Sequence, residues 1–471
     1  MKILESTHVL IGLGLNGIQV LEKLLSSGVT ADSITVVDPN EFGAQKQSEG
    51  QKISRSTLDS YKRNRVNSGI SKGGVPIGEL REHQKSQTYS WGASCFPPMK
   101  FHLPQQRYSD YDIQAAFGEV TQSLDIQATA ISELEATNFP ITHEKMDKFE
   151  RKEIAKHWVQ SNQGNIYHTR LAVSSEHDRK VNVCSFQGVC FSECPSDAIW
   201  NPRSHLKKFP MILNNISKID SSVTLIDESK KLIYTQNGIA IRYQNLILAA
   251  GSRKSVQLIN RSFPNRKAEL LSSPVVMFPF ILQNAIDITD FNSHFVLADL
   301  LVPYFNEHGL QAMSQVYLPT SEIAGRLLAQ APKIISELLK CLPTKNLDWI
   351  LRHTGVAMLF LPGTSDKISK EEVKDILNEP FKQLRIILRQ QGAHIFRNPS
   401  VYFLNHDSYH SGGVYDSEQG IAHAGINSKL YSDLAKLKIK LLDSCVLPAV
   451  PPGPHSLTAA ALARLEVMAD Y

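Results

Sequence analysis

A glycine-rich turn close to the start of the chain is the feature that most constrains what this sequence can fold into. Residues 12–17 read GLGLNG, which matches the pattern G-x-G-x-x-G. An apolar run at 7–11 predicts a strand before the turn, and apolar residues at helical spacing predict a helix over 17–27. A further apolar run at 33–37 predicts a second strand. The order strand, tight turn, helix, strand is the opening of a parallel α/β sheet of Rossmann type.

Each residue type in this turn has a physical reason if the ligand is a dinucleotide. Gly12 permits the tight turn, Gly14 lets a pyrophosphate approach the backbone, and Gly17 lets helix and strand pack closely. Asp38 ends the second strand about twenty residues further on, where a carboxylate accepts hydrogen bonds from ribose hydroxyls and disfavours a 2′-phosphate. The alternative is a glycine-rich turn that binds nothing, but the flanking elements and the acid favour the ligand. The predicted cofactor contacts here are Gly12, Leu13, Gly14, Asn16, Gly17 and Asp38.

Length and composition restrict the class of protein further. With 471 residues the chain exceeds what one hydrophobic core usually supports, so two or more packed units are expected. The formal charge of +4 is small for this length and the basic residues are scattered, so a nucleic-acid partner is not expected. The first residues show no export signal, and no apolar run reaches the length of a membrane span. These features predict a cytoplasmic protein without a membrane span.

Five stretches beyond the glycine turn carry a family pattern. Residues 439–448 read IKLLDSCVLP, residues 453–463 read GPHSLTAAALA, and residues 246–251 read LILAAG. Residues 89–93 read YSWGA, and residues 108–111 read YSDY. Taken in their order along the chain, these stretches resemble the glucose-methanol-choline (GMC) oxidoreductases. The glycine fingerprint alone does not distinguish FAD from NAD. The resemblance of the other stretches implies that the cofactor is FAD.

The C-terminal stretch also suits FAD for reasons that do not depend on the family. A strand that ends at Asp443 and Ser444 offers an acceptor and a hydroxyl for a polyol such as the ribityl chain. Ser456 is a good N-cap for a helix predicted over 457–469, and the positive end of that helix would stabilise the negative charge of a reduced flavin. The further cofactor contacts implied by the resemblance are Trp91, Gly92, Ala93, Ala250, Gly251, Asp443, Ser444, Ser456 and Leu457.

The resemblance implies catalytic residues as well. His410 and Gly413 align with the family pattern H-x-x-G-T, in which the histidine is the base, although Val414 replaces the threonine. The family's second active-site residue, an asparagine or a histidine, aligns with Pro454, so that His455 takes its place only if the loop is shifted. A histidine in a turn is also compatible with a structural or solvated role. The predicted catalytic residues are therefore His410 and His455.

A cysteine-rich stretch favours a structural interpretation over a metal site. Cys184, Cys190 and Cys194 resemble a bacterial ferredoxin run. Gln187 stands at the second ligand position, so a cuboidal iron-sulfur cluster would lack a thiolate. We predict reduced, partly buried cysteines and no metal. A zinc site is likewise not predicted from the neighbouring histidines, which are His406, His410 and His423.

The complete prediction is an α/β protein with a Rossmann-type FAD-binding domain and a discontinuous second α+β substrate domain. The FAD-binding domain comprises 1–110, 206–274 and 406–471, a helical and cysteine-rich insertion covers 111–205, and the substrate domain covers 275–405. The predicted function is oxidation of a CH–OH group, in a small-molecule sugar or another alcohol, by hydride transfer to flavin N5 with a histidine base. The alternatives are a flavoenzyme of another class (a desaturase, an isomerase or a reductase) and a redox-silent flavin-binding partner protein. No motif identifies the substrate or the electron acceptor.

Overall fold

Strands and helices alternate along the part of the chain that the computed structural model describes. The described residues are 3–39, 94–96, 107–124, 152–162, 164–173, 184, 190, 194, 196, 198–207, 214–285, 296–307, 309–320, 323, 344–365, 368–396, 401–403 and 410–469. The strands are β1 (Ile3–Ile11), β2 (Ile34–Val37), β3 (Ser94–Cys95), β4 (Tyr167–His168), β5 (Arg170–Leu171), β6 (Ser217–Ile219), β7 (Val223–Asp227), β8 (Leu232–Thr235), β9 (Ala240–Leu248), β10 (Ala268–Ser272), β11 (Val275–Leu282), β12 (Leu300–Asn306), β13 (Gly309–Tyr317), β14 (Thr354–Phe360), β15 (Ala393–Ile395), β16 (Val401–Phe403), β17 (Ser411–Asp416) and β18 (Ile439–Leu441). The α-helices are α1 (Leu15–Ser26), α2 (Asp110–Ser123), α3 (Glu153–Ser161), α4 (Pro202–Lys207), α5 (Ser252–Ser262), α6 (Thr344–His353), α7 (Lys370–Gln390), α8 (Lys429–Lys436) and α9 (Ser456–Met468).

The first sheet is parallel at its centre and follows the glycine turn. Its strand order is β6-β2-β1-β9-β8-β7, and β18 pairs with the later half of β9. The strands β1, β2, β6, β9 and β18 run parallel, whereas β8 is antiparallel to both β9 and β7. The last four residues of β1, 8–11, are buried on both faces of the sheet, which is typical of a central strand covered by helices. The carboxyl ends of β1, β9 and β18 therefore meet at one edge, where open α/β sheets bind their ligands.

Helices α1, α2 and α9 pack against one another and against this sheet. The N-terminal helix and the C-terminal helix thus belong to one core, although they lie at opposite ends of the sequence. Among the described residues, no helix combines the length and the apolar character that crossing a lipid bilayer would require. Members of this core include Leu10, Leu21, Phe117, Ile247 and Leu462.

The second sheet is antiparallel and forms the centre of the other lobe. Its strand order is β15-β11-β14-β13-β12-β4, with β16 beside β11. Successive side chains of a strand point to opposite faces, so the sheet has two faces of different composition. One face packs on α3 and α7, and the core between them includes Trp158, Phe278, Phe280, Leu359 and Leu384.

Residues 111–205, which the sequence predicts as a helical and cysteine-rich insertion, contribute to both cores in their described parts. Phe117 of α2 belongs to the core of the parallel sheet. Trp158 of α3 packs against Phe280 in the core of the antiparallel sheet, with ring centroids 6.5 Å apart. Trp200 returns the chain to the first core. The described part of this region therefore connects the two cores instead of forming a third one.

Candidate functional site

The glycine turn brings the ends of β1 and β9 into contact. Gly12 has a φ of 91°, and a Cβ on it would lie 2.5 Å from the carbonyl oxygen of Ala249. A Cβ on Gly17 would lie 2.2 Å from the carbonyl oxygen of Gly12. Side chains do not fit at either position, because main-chain atoms stand in the way and cannot move like a side chain. The turn therefore has the close main-chain approach that the sequence pattern predicts.

Helix α1 begins at Leu15, two residues before the predicted start, and Gly14 is its N-cap. No side chain caps this end, which lies wholly within the described residues. The first N–H groups of a helix have no partner inside the helix and attract an anion. Asn16 is partly exposed, and its Nδ2 is a buried donor without a hydrogen-bond partner in the described structure. This helix end therefore has donors available for a pyrophosphate.

Asp38 follows β2 directly and turns its carboxylate toward the glycine turn. Its Oδ2 accepts a hydrogen bond of 2.6 Å from the N–H of Leu13. Its own N–H donates to the carbonyl oxygen of Ile219 at the end of β6. The structure thus brings the predicted ribose-binding acid beside the predicted pyrophosphate-binding turn, at the carboxyl ends of parallel strands.

The ends of β9 and β18 carry residues predicted to lie on the flavin side. Gly251 follows β9 with a φ of 89° and is the N-cap of α5. Asp443 follows β18, and its carboxylate accepts hydrogen bonds from Ser255 Oγ at 2.5 Å and from the N–H of Cys445 at 2.9 Å. Burial raises the pKa of Asp443, and the hydrogen bonds oppose that rise. Asp443 therefore holds the strand end in place, whereas Ser444 beside it keeps partial exposure.

Helix α9 begins one residue earlier than predicted. His455 is its N-cap, and Ser456 is already the first helical residue, so the predicted capping role of Ser456 is wrong. His455 has φ −103° and ψ 3°, which lie outside the helical range, so the helix begins at the residue after it. No side chain caps this end within the described residues. Ser456 is partly exposed and Leu457 is buried. The first N–H groups of α9 therefore point out of the helix at the same edge as Ser444.

Two histidines meet at this edge. The imidazole rings of His410 and His455 have centroids 5.4 Å apart and planes at 77°. The main chain holds both, since the N–H of Ser273 donates to the carbonyl oxygen of His410 at 2.8 Å and the N–H of Ala459 to that of His455 at 2.9 Å. His455, and not the prolyl residue before it, is thus the ring that contacts His410. That His455 takes the place of the family's second active-site residue stays a prediction.

Burial makes both imidazoles weak bases. It lowers the pKa of His410 to about 3, helped by the neighbouring His455. It lowers the pKa of His455 to about 4, against hydrogen bonds with the backbone of Gly453 and Ser411. Both rings are therefore neutral at neutral pH and able to accept a proton. His410 keeps partial exposure, whereas only 7% of His455 is exposed.

The histidine pair is anchored to the sheet that carries the glycine turn. The carbonyl oxygen of Ser411 accepts hydrogen bonds from Ser444 Oγ at 2.9 Å and from Ser252 Oγ at 3.2 Å. Ser444 follows the end of β18, and Ser252 follows Gly251 at the end of β9. The glycine turn and the two imidazoles therefore lie along one continuous edge of strand ends.

Two residues of the antiparallel sheet complete the surroundings of the histidines, and the sequence offers no signal for either. The ring of Phe360, at the end of β14, meets the ring of His410 edge to face, with centroids 4.6 Å apart. The Sδ atom of Met313, in β13, would lie 2.9 Å from a Cβ placed on Gly453. Both are ordinary apolar strand residues, so only the packing of the two lobes identifies them.

Several residues named in the sequence analysis either lie outside the described structure or are described only by their burial. Trp91, Gly92, Ala93, Gln187 and His406 lie outside the described residues. Among the described residues, no three histidine, cysteine or acidic side chains are grouped so that they could hold a metal ion. Three cysteines have intermediate burial, and His423 is exposed. These cysteines are Cys184, Cys190 and Cys194.

Comparison with known proteins identifies the fold. No protein-family model and no curated protein sequence matches the chain. By structure the chain is similar to pyridoxine 4-oxidase from Mesorbium loti, with a TM-score of 0.50, 10% identity and 98% of each chain covered. It is also similar to a formate oxidase, with a TM-score of 0.50 and 9% identity over 100% of this chain and 99% of the other. A formate oxidase variant from Aspergillus oryzae has a TM-score of 0.52 and 8% identity, with the same coverage of the two chains. These enzymes are GMC oxidoreductases. The described part of the chain has the fold of the GMC oxidoreductases, in which a Rossmann-type sheet is joined to a second α+β lobe.

Proposed function

We propose that the protein is an FAD-dependent oxidoreductase that acts on the CH–OH group of a small-molecule alcohol. The observation that carries this proposal is the pair of buried, neutral imidazoles at the edge where the strands β9 and β18 end. An imidazole is the side chain that most often accepts a hydroxyl proton in catalysis, and the glycine turn at the same edge suits a dinucleotide. The pyridoxine 4-oxidase and the formate oxidases have the same fold.

The residues present fit FAD by their shape and their free donors. Gly12 and Gly17 leave the backbone of the turn bare, and Asn16 Nδ2 is a donor without a partner in the described structure. We infer that the turn and Asp38 hold the adenosine and pyrophosphate parts, and that Gly251, Ser444 and Ser456 hold the flavin side. FAD, when bound there, supplies the two-electron acceptor for hydride.

The two histidines divide the proton chemistry between them. We assign His410 as the base, because it keeps partial exposure and is therefore accessible to a substrate hydroxyl. His455 is more deeply buried, and it positions the same hydroxyl or shares its proton. A cytoplasmic location and the absence of a nucleic-acid partner stay predictions from the sequence.

The test is a visible spectrum of the purified protein followed by anaerobic addition of primary alcohols. We expect a bound flavin whose absorbance is bleached by an alcohol. His410→Ala should keep the flavin and slow the bleaching by about 10³-fold, because a positioned general base contributes about 10²–10⁴-fold. His423→Ala, at an exposed histidine, is the matched control and should leave the rate unchanged.

Three outcomes would contradict the proposal at different points. A protein that is colourless and does not take up added FAD has no flavin site. A flavoprotein that no alcohol bleaches belongs to another flavoenzyme class or is redox-silent. Bleaching that His410→Ala leaves unchanged retains the reaction and removes His410 as its base.

A further inference from the structure

The C-terminal helix α9 is enclosed by the core on all sides of its first half. Residues 457–464 are all buried, and four of them are alanines, at 459, 460, 461 and 463. A helix that is apolar on every side has no polar face to fix its rotation, and hydrophobic burial is non-directional. Contacts that depend on direction therefore determine how α9 is turned about its axis.

Arg464 anchors one side of α9 to the helices α1 and α2. Its Nη1 donates to Gln19 Oε1 at 2.7 Å and to Glu22 Oε2 at 3.1 Å, both in α1. Its Nε donates to Glu119 Oε2, in α2, at 2.9 Å. Arg464 itself is only 7% exposed. The hydrogen bonds of a planar guanidinium group to carboxylates fix direction as well as distance.

Glu466 anchors the opposite side of the same helix. At about 100° per residue, the side chains of Arg464 and Glu466 leave α9 about 200° apart. Glu466 is 2% exposed. It accepts hydrogen bonds from Arg107 Nη2 at 2.9 Å, from Tyr431 Oη at 3.0 Å and from Tyr108 Oη. The two anchors therefore hold α9 from both sides, and we call Arg464 and Glu466 the clamp.

A rotation of α9 carries His455 with it. The N–H of Ala459 donates to the carbonyl oxygen of His455 at 2.9 Å, so the main chain of His455 forms part of the first turn. Arg464 lies about 14 Å further along the axis, at about 1.5 Å per residue. Nδ1 of His455 is a buried nitrogen without a hydrogen-bond partner in the described structure, so it does not hold the ring in place. The contact of this ring with His410 therefore depends on how the helix is turned.

We propose that Arg464 and Glu466 are positioning residues, which hold α9 at the rotation that presents His455 to His410. The effect on catalysis rests on the function proposed above. Buried charges are weak evidence for stability, because apolar side chains of similar volume often stabilise a protein equally well. Directional hydrogen bonds add what the packing of alanines does not supply, which is the selection of one rotation.

The experiment measures the accessibility of His455 and the rate of the reaction in the same variants. Arg464→Met and Glu466→Leu each remove one side of the clamp and leave an apolar side chain in the core. Diethyl pyrocarbonate, which modifies accessible neutral imidazoles, is added to the purified full-length protein. Peptide mass spectrometry then gives the modification rate of His455 relative to the exposed His423. Anaerobic flavin bleaching by ethanol, hexanol and benzyl alcohol gives the reaction rate.

We expect both variants to modify His455 about tenfold faster, because the helix no longer holds this residue at 7% exposure. His8, which is 5% exposed in β1 of the same core, should stay slow, and this separates a turned helix from general unfolding. The limiting rate of bleaching should fall by about 10²-fold, because a misplacement of about 1 Å can cost that much. The alcohol concentration for half the limiting rate should change far less, since proton transfer and not binding is affected.

Two further variants sharpen the test. Glu466→Gln keeps an acceptor for the tyrosine hydroxyls, so both effects should be smaller than in Glu466→Leu, and it serves in its place if that variant does not fold. Lys23→Met is the matched control, because Lys23 Nζ also contacts Glu119, at 3.3 Å, but lies on α1. It should leave the modification of His455 and the bleaching rate unchanged.

The outcomes separate this inference from the function on which it rests. Folded clamp variants in which His455 stays slowly modified overturn the inference, whatever their bleaching rate. Faster modification of His455 with unchanged bleaching supports the clamp and contradicts a part for His455 in alcohol oxidation. If the unsubstituted protein binds no flavin or is bleached by no alcohol, the proposed function fails, and the modification rate of His455 still decides whether the clamp exists.

Discussion

The glycine turn and the face of the antiparallel sheet that carries Phe360 are built from different kinds of contact. In the turn, main-chain atoms approach so closely that Gly12 and Gly17 leave no space for a side chain. On that face, the side chains of Val275, Met313 and Phe360 come from the neighbouring strands β11, β13 and β14. Other apolar residues of similar volume would preserve this packing. Main-chain contacts specify a residue type, whereas side-chain contacts specify only volume and polarity. A short motif therefore marks the first region, and none marks the second.

The largest effect is expected in the second lobe, from a contact that no motif marks. Lys152 Nζ and Asp299 Oδ2 form an ion pair of 3.0 Å with both side chains 1% exposed. We expect Lys152→Met to lower the free energy of unfolding by about 3–5 kcal/mol, because it leaves a buried carboxylate without its cation. Denaturant unfolding followed by fluorescence measures the change.

The double variant of this pair is the control. Lys152→Met combined with Asp299→Leu should recover most of the loss, since neither charge remains buried. A single-variant loss below about 1 kcal/mol would contradict a strong dependence of the second lobe on this buried ion pair.

Gly17→Ala should show the next largest effect, because the added methyl group meets the carbonyl oxygen of Gly12. We expect a loss of about 3 kcal/mol in unfolding free energy and weaker FAD binding. Gly118→Ala is the matched control, since Gly118 also lies in a helix but a Cβ on it would meet nothing within 4 Å. That variant should gain about 0.5–1 kcal/mol. Equal effects of the two substitutions would contradict a requirement for close main-chain contact.

The histidine pair lies where the two regions meet and predicts a pH dependence of stability. Burial holds the pKa of His410 at about 3 and that of His455 at about 4, whereas in the unfolded chain both have the usual pKa of about 6.5. Between these values the unfolded state binds more protons, so stability is complete above about pH 6.5 and decreases as the pH falls. We expect a loss on the order of 2 kcal/mol per imidazole by about pH 4.

Denaturant unfolding at a series of pH values measures this loss, with His455→Gln as the comparison. The variant lacks one buried imidazole, so its stability should depend less steeply on pH between about 6.5 and 4. Identical slopes for the two proteins would show that the protons are taken up elsewhere.

The smallest effects are expected from one helix cap in each lobe. Ser109 begins α2 with a capping box to Asp112, and Ser369 begins α7 with a capping box to Glu372. Each serine to alanine substitution should cost about 1 kcal/mol, because it leaves helix N–H groups without an acceptor. Both should shift the same thermal transition, since the described part of 111–205 joins the two cores. Separate shifts of two transitions would show that the lobes unfold independently.

Much of the glycine turn was predictable because its residues act through local geometry. The turn from Gly12 to Gly17 and Asp38 lie where the pattern places them, at the ends of β1 and β2. The helix starts were predicted less accurately: α1 begins at Leu15 and α9 at Ser456. Helix ends depend on φ and ψ of single residues, which residue preferences describe only to within one or two positions.

The sequence by itself determined that a glycine turn opens a parallel sheet, because main-chain atoms leave no room for a side chain at Gly12 and Gly17. It also marked His410 through its resemblance to a known family. Only the tertiary structure decided that His455 is the partner of His410 and that Phe360 and Met313 stand beside them. These contacts join residues far apart in the chain through sheet register and the packing of two lobes, and many apolar residues could occupy such positions equally well.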